Sequence, residues 1–272
     1  MDRSGILVTG TTRVVFMIGT PVAQTRSPFL FNRHFADSGA NRIMVPLDVS
    51  PAALPSFVAM VREAANCDGF VATRPHKQAL LDLVDDASET ARALESVNVV
   101  RREPDGRLVG DMADGAGFWS GVQEEGFDPR GKAVILAGAG AAATAIAYEF
   151  GRRGGRHLTL WSRDDGEMRV LGKRLSAWDV DIRSGMPVSL KDFDMAINAT
   201  PLGMSHAPGS AFSPHLVATL PDHAIVADAI TEPAMTELLR TASGRGLKPI
   251  NGYTMTSGQM HYLLEGLGIA ES

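Results

Sequence analysis

Short apolar runs rich in β-branched residues alternate with longer stretches of helical character along most of this chain. Residues 14–18 predict a strand, 29–38 a helix, 42–47 a strand, 52–65 a helix and 69–73 another strand, with a helical stretch expected from His76. Such alternation calls for parallel strands joined by helical crossovers. Residues 97–101 and 108–110 flank Pro104-Asp-Gly106, whose turn chemistry predicts a hairpin. A helix over 113–125 then leads to the turn Asp128-Pro-Arg-Gly131, and a second α/β series follows. In that series 133–136 predicts a strand, 141–153 a helix and 158–161 a strand, with further strands at 195–198 and 225–227. Residues 254–267 predict a closing helix, and there is neither a fixed-period repeat nor a low-complexity linker.

Composition narrows the class. At 272 residues the chain is long enough for two domains with a cleft between them. With 44% hydrophobic and 21% charged residues it has the make-up of a soluble globular protein. A net charge of -5 with no polybasic run argues against nucleic-acid binding. The single cysteine, Cys67, excludes an internal disulfide, fits a reducing compartment and is expected to be a small buried residue. The first 23 residues are broken by Gly10, Arg13, Gly19 and Pro21, so neither a signal peptide nor a membrane span is expected, and a cytoplasmic location is.

Gly138-Ala-Gly-Ala-Ala-Ala143 sits between a predicted strand and helix, with a second strand at the distance a dinucleotide fingerprint requires. Gly138 would permit the tight turn, Gly140 would clear space for pyrophosphate, and Ala143 would allow close helix packing. The amides opening the helix, around Ala139, Ala141 and Ala142, would face the anion. The second strand ends in Trp161-Ser-Arg-Asp164. Arg163 there favours the extra phosphate of NADP, whereas Asp164 keeps NAD possible. Lys77 follows a strand and the turn Arg74-Pro-His76, and a lysine desolvated in a cleft can shuttle a proton. Asp114 reads as a partner for that ammonium or as the N-cap of its helix. Ser27-Pro28 is a helix-start signal, Asn98 taken singly is a turn residue, and His76 reads as a half-exposed structural histidine. No histidine has metal-ligand spacing, so no metal is expected.

Together, Val71-Ala-Thr-Arg-Pro-His-Lys77, Gly110-Asp-Met-Ala-Asp-Gly115, Asn198-Ala-Thr-Pro-Leu-Gly-Met204 and Asn251-Gly-Tyr-Thr-Met-Thr-Ser-Gly-Gln259 resemble the shikimate/quinate dehydrogenase family over nearly the whole chain. The resemblance implies an N-terminal substrate-binding domain (residues 1–112 with 252–272) and a Rossmann-type domain (113–251). It implies Lys77 and Asp114 as the catalytic pair, with Thr25, Ser27, Thr73, Asn98 and Gln259 as substrate ligands. It adds Ser162, Thr200, Ala229 and Gly252 to the cofactor residues, and a hydroxylated cyclic acid as ligand, in a monomer or homodimer. The implied activity is reversible NADP-dependent reduction of 3-dehydroshikimate or a related keto acid in aromatic amino acid biosynthesis. An NAD-dependent quinate or aminoshikimate-type enzyme, an amine- or folate-linked dehydrogenase and a non-catalytic ligand-binding paralogue are the alternatives. Val71, Val99 and Thr231 stand where the family carries asparagine, threonine and tyrosine. Losing those polar groups implies a different or relaxed ligand, poor shikimate turnover, and recovery on restoring asparagine and tyrosine at Val71 and Thr231.

Overall fold

A computed structural model describes residues 7–162, 165–176 and 181–269. The chain forms two compact units, Met1–Ala113 with Met260–Ser272 and Asp114–Gln259. The first contains β1 (Arg13–Gly19), α1 (Ser27–Asp37), β2 (Arg42–Asp48), α2 (Leu54–Glu63), β3 (Cys67–Ala72), β4 (Asp86–Ala87), α3 (Glu89–Leu94), β5 (Val99–Arg102) and β6 (Leu108–Asp111). The second contains α4 (Asp114–Glu124), β7 (Ala133–Ala137), α5 (Ala141–Arg152), β8 (His157–Trp161), α6 (Asp165–Leu175), β9 (Asp181–Ser184), β10 (Met195–Asn198), α7 (Pro214–Val217), β11 (Ile225–Asp228), α8 (Glu237–Gly244) and β12 (Lys248–Ile250). The last helix, α9 (Gly252–Gly266), begins in the second unit and ends in the first.

In the first unit the sheet runs β2-β1-β3-β5-β6-β4. β1 pairs parallel with β2 and β3, and β5 runs antiparallel to both β3 and β6. Alternate residues of a strand face opposite sides. Accordingly Val15, Met17 and Val71 join Phe31 and Phe35 of α1 and Leu263 and Leu264 of α9 in one apolar cluster. Phe16 and Phe70, register partners on β1 and β3, turn the other way and meet Phe57 of α2 edge-on. Cys67 lies 1% exposed within β3, and burial pushes its thiol up to about 11, which keeps it protonated at neutral pH. The Pro-Asp-Gly hairpin forms between β5 and β6, with Gly106 at φ +86°.

The helical stretch expected from His76 does not form. The described chain makes only a short 3-10 turn, Ala79–Asp82, in which Leu80 alone is buried, before reaching β4 and α3. Asp85 bonds through its amide to the Leu108 carbonyl, drawing this segment to the sheet edge instead. The expected helix over 52–65 divides into a Ser50-capped turn and α2, which ends where Ala64 turns extended.

The second unit holds an all-parallel sheet in the order β12-β11-β10-β7-β8-β9. The chain moves outward from β7 to β8 and β9, then returns to β10 on the other side of β7. That reversal opens a crevice at the carboxyl ends of the strands, where such sheets bind ligands. α4 lies against α5: a Cβ at Gly115 would come within 2.2 Å of the Ala145 carbonyl, and the Trp119 indole donates to the Ile146 carbonyl at 2.9 Å. Neither closeness nor indole satisfaction would survive a larger residue at Gly115. Among the described residues, no helix is long and apolar enough to cross a membrane.

Candidate active site

In the first unit, β3 delivers the chain to the turn carrying Thr73 and Lys77. The Thr73 amide bonds the Ile18 carbonyl at 2.9 Å, and the His76 amide bonds the Thr73 carbonyl at 3.1 Å. The His76 ring pairs with the Val49 carbonyl at 2.7 Å and is 1% exposed. It is therefore a buried pin for the turn, not the half-exposed residue expected. Lys77 follows, half-buried. Its carbonyl accepts the Val97 amide at 2.8 Å, which brings Lys77 beside Asn98, 21 positions on in the chain.

Asn98 is 2% exposed and its Oδ1 accepts the Ala113 amide at 2.8 Å. With the oxygen taken by backbone, the NH2 is the donor end of this side chain. Thr25 donates its hydroxyl to the Val22 carbonyl at 2.8 Å. The start signal at Ser27-Pro28 is realised, but Ser27 is the first residue of α1 rather than its cap, and no side chain caps that helix. Thr25, Ser27 and Thr73 are all half-buried.

In the second unit, Asp114 opens α4 as its first residue and is 3% exposed. Its Oδ1 accepts Gln259 Nε2 at 2.9 Å. This contact joins two residues far apart in sequence and turns the Gln259 carbonyl oxygen away from the carboxylate, where it remains an acceptor. Glycine makes the approach feasible: a Cβ on Gly117 would sit 2.1 Å from Gln259 Cγ, and one on Gly121 2.3 Å from the Thr254 carbonyl.

The glycine-rich turn has the shape a dinucleotide needs. Gly138 has φ +119°, and a Cβ there would meet the Ala199 carbonyl at 2.8 Å. Nothing lies within 4 Å of the Cβ position of Gly140, so the space beside it is open to a ligand. Ala139, Ala141 and Ala142 are half-buried, and α5 starts without a side-chain cap or an acidic residue in its first turn. Uncapped amides of this kind suit a pyrophosphate. Ala143 is fully buried beneath the turn. Ser162 is half-buried just past β8, whereas Arg163 lies outside the described residues. Gly252 packs so closely that a Cβ would stand 2.5 Å from the Ile230 carbonyl and 2.7 Å from that of Ala229.

Sequence reading did not single out the buried group that links the other residues expected at the cofactor. Asp228, the last residue of β11, accepts from Asn198, Ile230 and Thr236, and Asn198 in turn holds Thr200. An acidic residue closing an apolar strand was the available signal. Among the described residues, no three histidines, cysteines or carboxylates form a group able to hold a metal.

Of the three positions expected to have lost substrate ligands, two are buried among apolar side chains. Val71 and Val99 lie in the apolar cluster of the first unit, 3% and 0% exposed. Thr231 is half-buried in the turn after β11, and the Tyr253 hydroxyl reaches Glu232 in that same turn at 3.5 Å.

Fold and site together define a two-unit α/β protein whose second unit is a Rossmann-type dinucleotide-binding domain. Residues 17–100 match the family model for the shikimate dehydrogenase substrate binding domain. A shikimate dehydrogenase (NADP(+)) of Rubrobacter xylanophilus is 37% identical over 253 residues, covering 91% of this chain and 88% of that protein. The crystal structure of a shikimate dehydrogenase in complex with NADP+ matches with a TM-score of 0.89 at 29% identity, covering 99% of this chain and 94% of that one. A ligand-free 5-ketofructose reductase of Gluconobacter sp. strain CHM43 matches with a TM-score of 0.84 at 28% identity, over 93% and 92% of the two chains. The chain belongs to the shikimate dehydrogenase family.

Proposed function

We propose that this protein is a reversible NADP-dependent dehydrogenase that reduces 3-dehydroshikimate or a closely related cyclic keto acid to the hydroxy acid. Relatives named as NADP(+)-dependent shikimate dehydrogenases support the reaction class and cofactor. The observation that carries the reading is the 2.9 Å bond between Asp114 and Gln259, which gathers a carboxylate and an amide from distant parts of the chain in the unit that also carries the glycine-rich turn. In this reading residues 1–112 with 252–272 bind substrate and residues 113–251 bind the dinucleotide at Gly138–Ala142, Ser162, Arg163, Thr200 and Ala229, with Gly252 of the neighbouring stretch also against it.

When bound, NADP(H) supplies or accepts the hydride. Lys77 moves the proton at the substrate's reacting oxygen, as a half-buried ammonium at the end of a pinned turn is suited to do. Asp114 and the Asn98 amide bond the neighbouring hydroxyls, and Gln259 adds an acceptor. Thr25 and Ser27 take the carboxylate, with Thr73 beside them.

Lys77→Ala tests the reading by absorbance of the reduced nicotinamide with 3-dehydroshikimate. The expected result is a fall in kcat of about 10² or more, with NADPH affinity little changed. Near-normal turnover would remove Lys77 from the mechanism.

A further inference from the structure

The carboxylate of Asp228 is 1% exposed, and no cation among the described residues acts on it. Its Oδ1 accepts from Asn198 Nδ2 at 3.1 Å and from the Ile230 amide at 3.0 Å, and its Oδ2 accepts from the Thr236 hydroxyl at 2.7 Å. Burial pushes its pKa up to about 6, against the opposing pull of those three bonds. Three donors converge on this point, and the two carboxylate oxygens answer all of them. An asparagine there would point its NH2 at Thr236, whose oxygen already takes the Leu239 amide at 3.3 Å.

Asn198 carries the hold outward. Its Oδ1 accepts both the amide and the hydroxyl of Thr200, at 3.0 and 2.7 Å, and its Nδ2 also donates to the Leu202 carbonyl at 2.9 Å. The Thr200 hydroxyl accepts the Leu202 amide at 3.1 Å. One buried carboxylate thus ties down the segment after β10, the turn after β11 and the start of α8. That segment runs against the glycine-rich turn, since the Ala199 carbonyl is the atom a Cβ on Gly138 would strike. β8, whose tip serves the adenosine half of a dinucleotide in this sheet order, lies on the far side of β7 from β10 and β11. The segment held by Asp228 therefore belongs to the nicotinamide half.

We propose that Asp228 is a positioning residue that acts through Asn198 to set residues 198–204 against the nicotinamide half of the dinucleotide. The inference rests on the reading of this unit as an NADP(H) site. It predicts a selective effect: the whole dinucleotide should need Asp228, while a fragment confined to the adenosine half should not.

The test is calorimetric titration of the full-length protein with NADPH and, separately, with 2′,5′-ADP. Asp228→Ala is expected to weaken NADPH by about tenfold or more, to leave 2′,5′-ADP within about twofold, and to retain a cooperative unfolding transition. Asp228→Asn, which keeps two of the three bonds, should recover most of the NADPH affinity. If Asp228→Ala does not fold, Thr236→Val removes one arm of the hold without touching the segment, and a loss for NADPH but not for 2′,5′-ADP is again expected. Equal affinities in variant and wild type, or equal losses for both ligands, would overturn the inference while leaving the site intact. A wild-type protein that binds neither ligand would overturn the dinucleotide reading and this inference with it.

Discussion

Val71 and Val99 are cross-strand partners in the antiparallel pair β3–β5, and both face the apolar cluster that contains Leu263 and Leu264. Their replacement of polar family residues is thus one coupled change, because cross-strand partners share a face of the sheet. The pair fills a core position of the first unit, and a Cβ on Gly266 would stand only 2.8 Å from Val99 Cγ1. Restoring asparagine at Val71, one half of the double change expected to recover shikimate turnover, would set an amide among these apolar side chains.

Val71→Asn alone should instead destabilise the protein by about 1–3 kcal/mol, the cost of an unpaired amide in an apolar site. Urea unfolding of the variant against wild type measures this, alongside shikimate kcat/KM. A stable variant with improved turnover would show that the residue 71 side chain reaches ligand after all.

Gly117→Ala should disturb the Asp114–Gln259 contact from behind, because the added methyl carbon would stand 2.1 Å from Gln259 Cγ and 2.7 Å from its Cα. Backbone is among the atoms struck, so helix α9 or α4 must shift, at a cost of about 1–3 kcal/mol. We expect substrate KM to rise about tenfold with NADPH affinity nearly preserved. An unchanged KM would mean that Gln259 does not touch substrate.

Asp228 sets a pH dependence of stability whose sign follows from its raised pKa. The folded protein binds this proton up to about pH 6, the unfolded chain only up to about 3.8. Native protein holds more protons in that interval, so the contribution is full below pH 3.8 and is lost as pH rises through 6. The gap of roughly two pH units corresponds to about 3 kcal/mol. Chemical denaturation of wild type and Asp228→Asn should therefore differ increasingly in favour of the variant from pH 4 to pH 7. A constant difference across that range would show that Asp228 titrates normally.

Arg163 governs cofactor choice if it meets the 2′-phosphate. Arg163→Ala should then weaken NADPH by about 1–3 kcal/mol, as for a lost charge-assisted bond, while sparing NADH. Titration with both nucleotides decides it, and equal losses would mean that Arg163 does not read the 2′-phosphate.

The alternation of β-branched runs with helical stretches, the glycine-rich turn after β7 and the Pro-Asp-Gly hairpin were all legible in the chain itself, because each depends on contacts among near neighbours. The backbone positions that exclude a side chain, such as Gly138, and the motif order from Lys77 to Gln259 belong to that local grammar too. Segments with weak periodicity were not legible: β4, β9 and β12 are two to four residues long and owe their form to the strands beside them. Tertiary structure alone decided that His76 is buried against Val49, that Val71 and Val99 form a core pair, and that Asp228 anchors the segment bearing Thr200. In each case the partner lies more than 25 residues away. Burial and hydrogen bonding at that separation depend on how strands register and how helices fill the space above them, which no local pattern of side chains encodes.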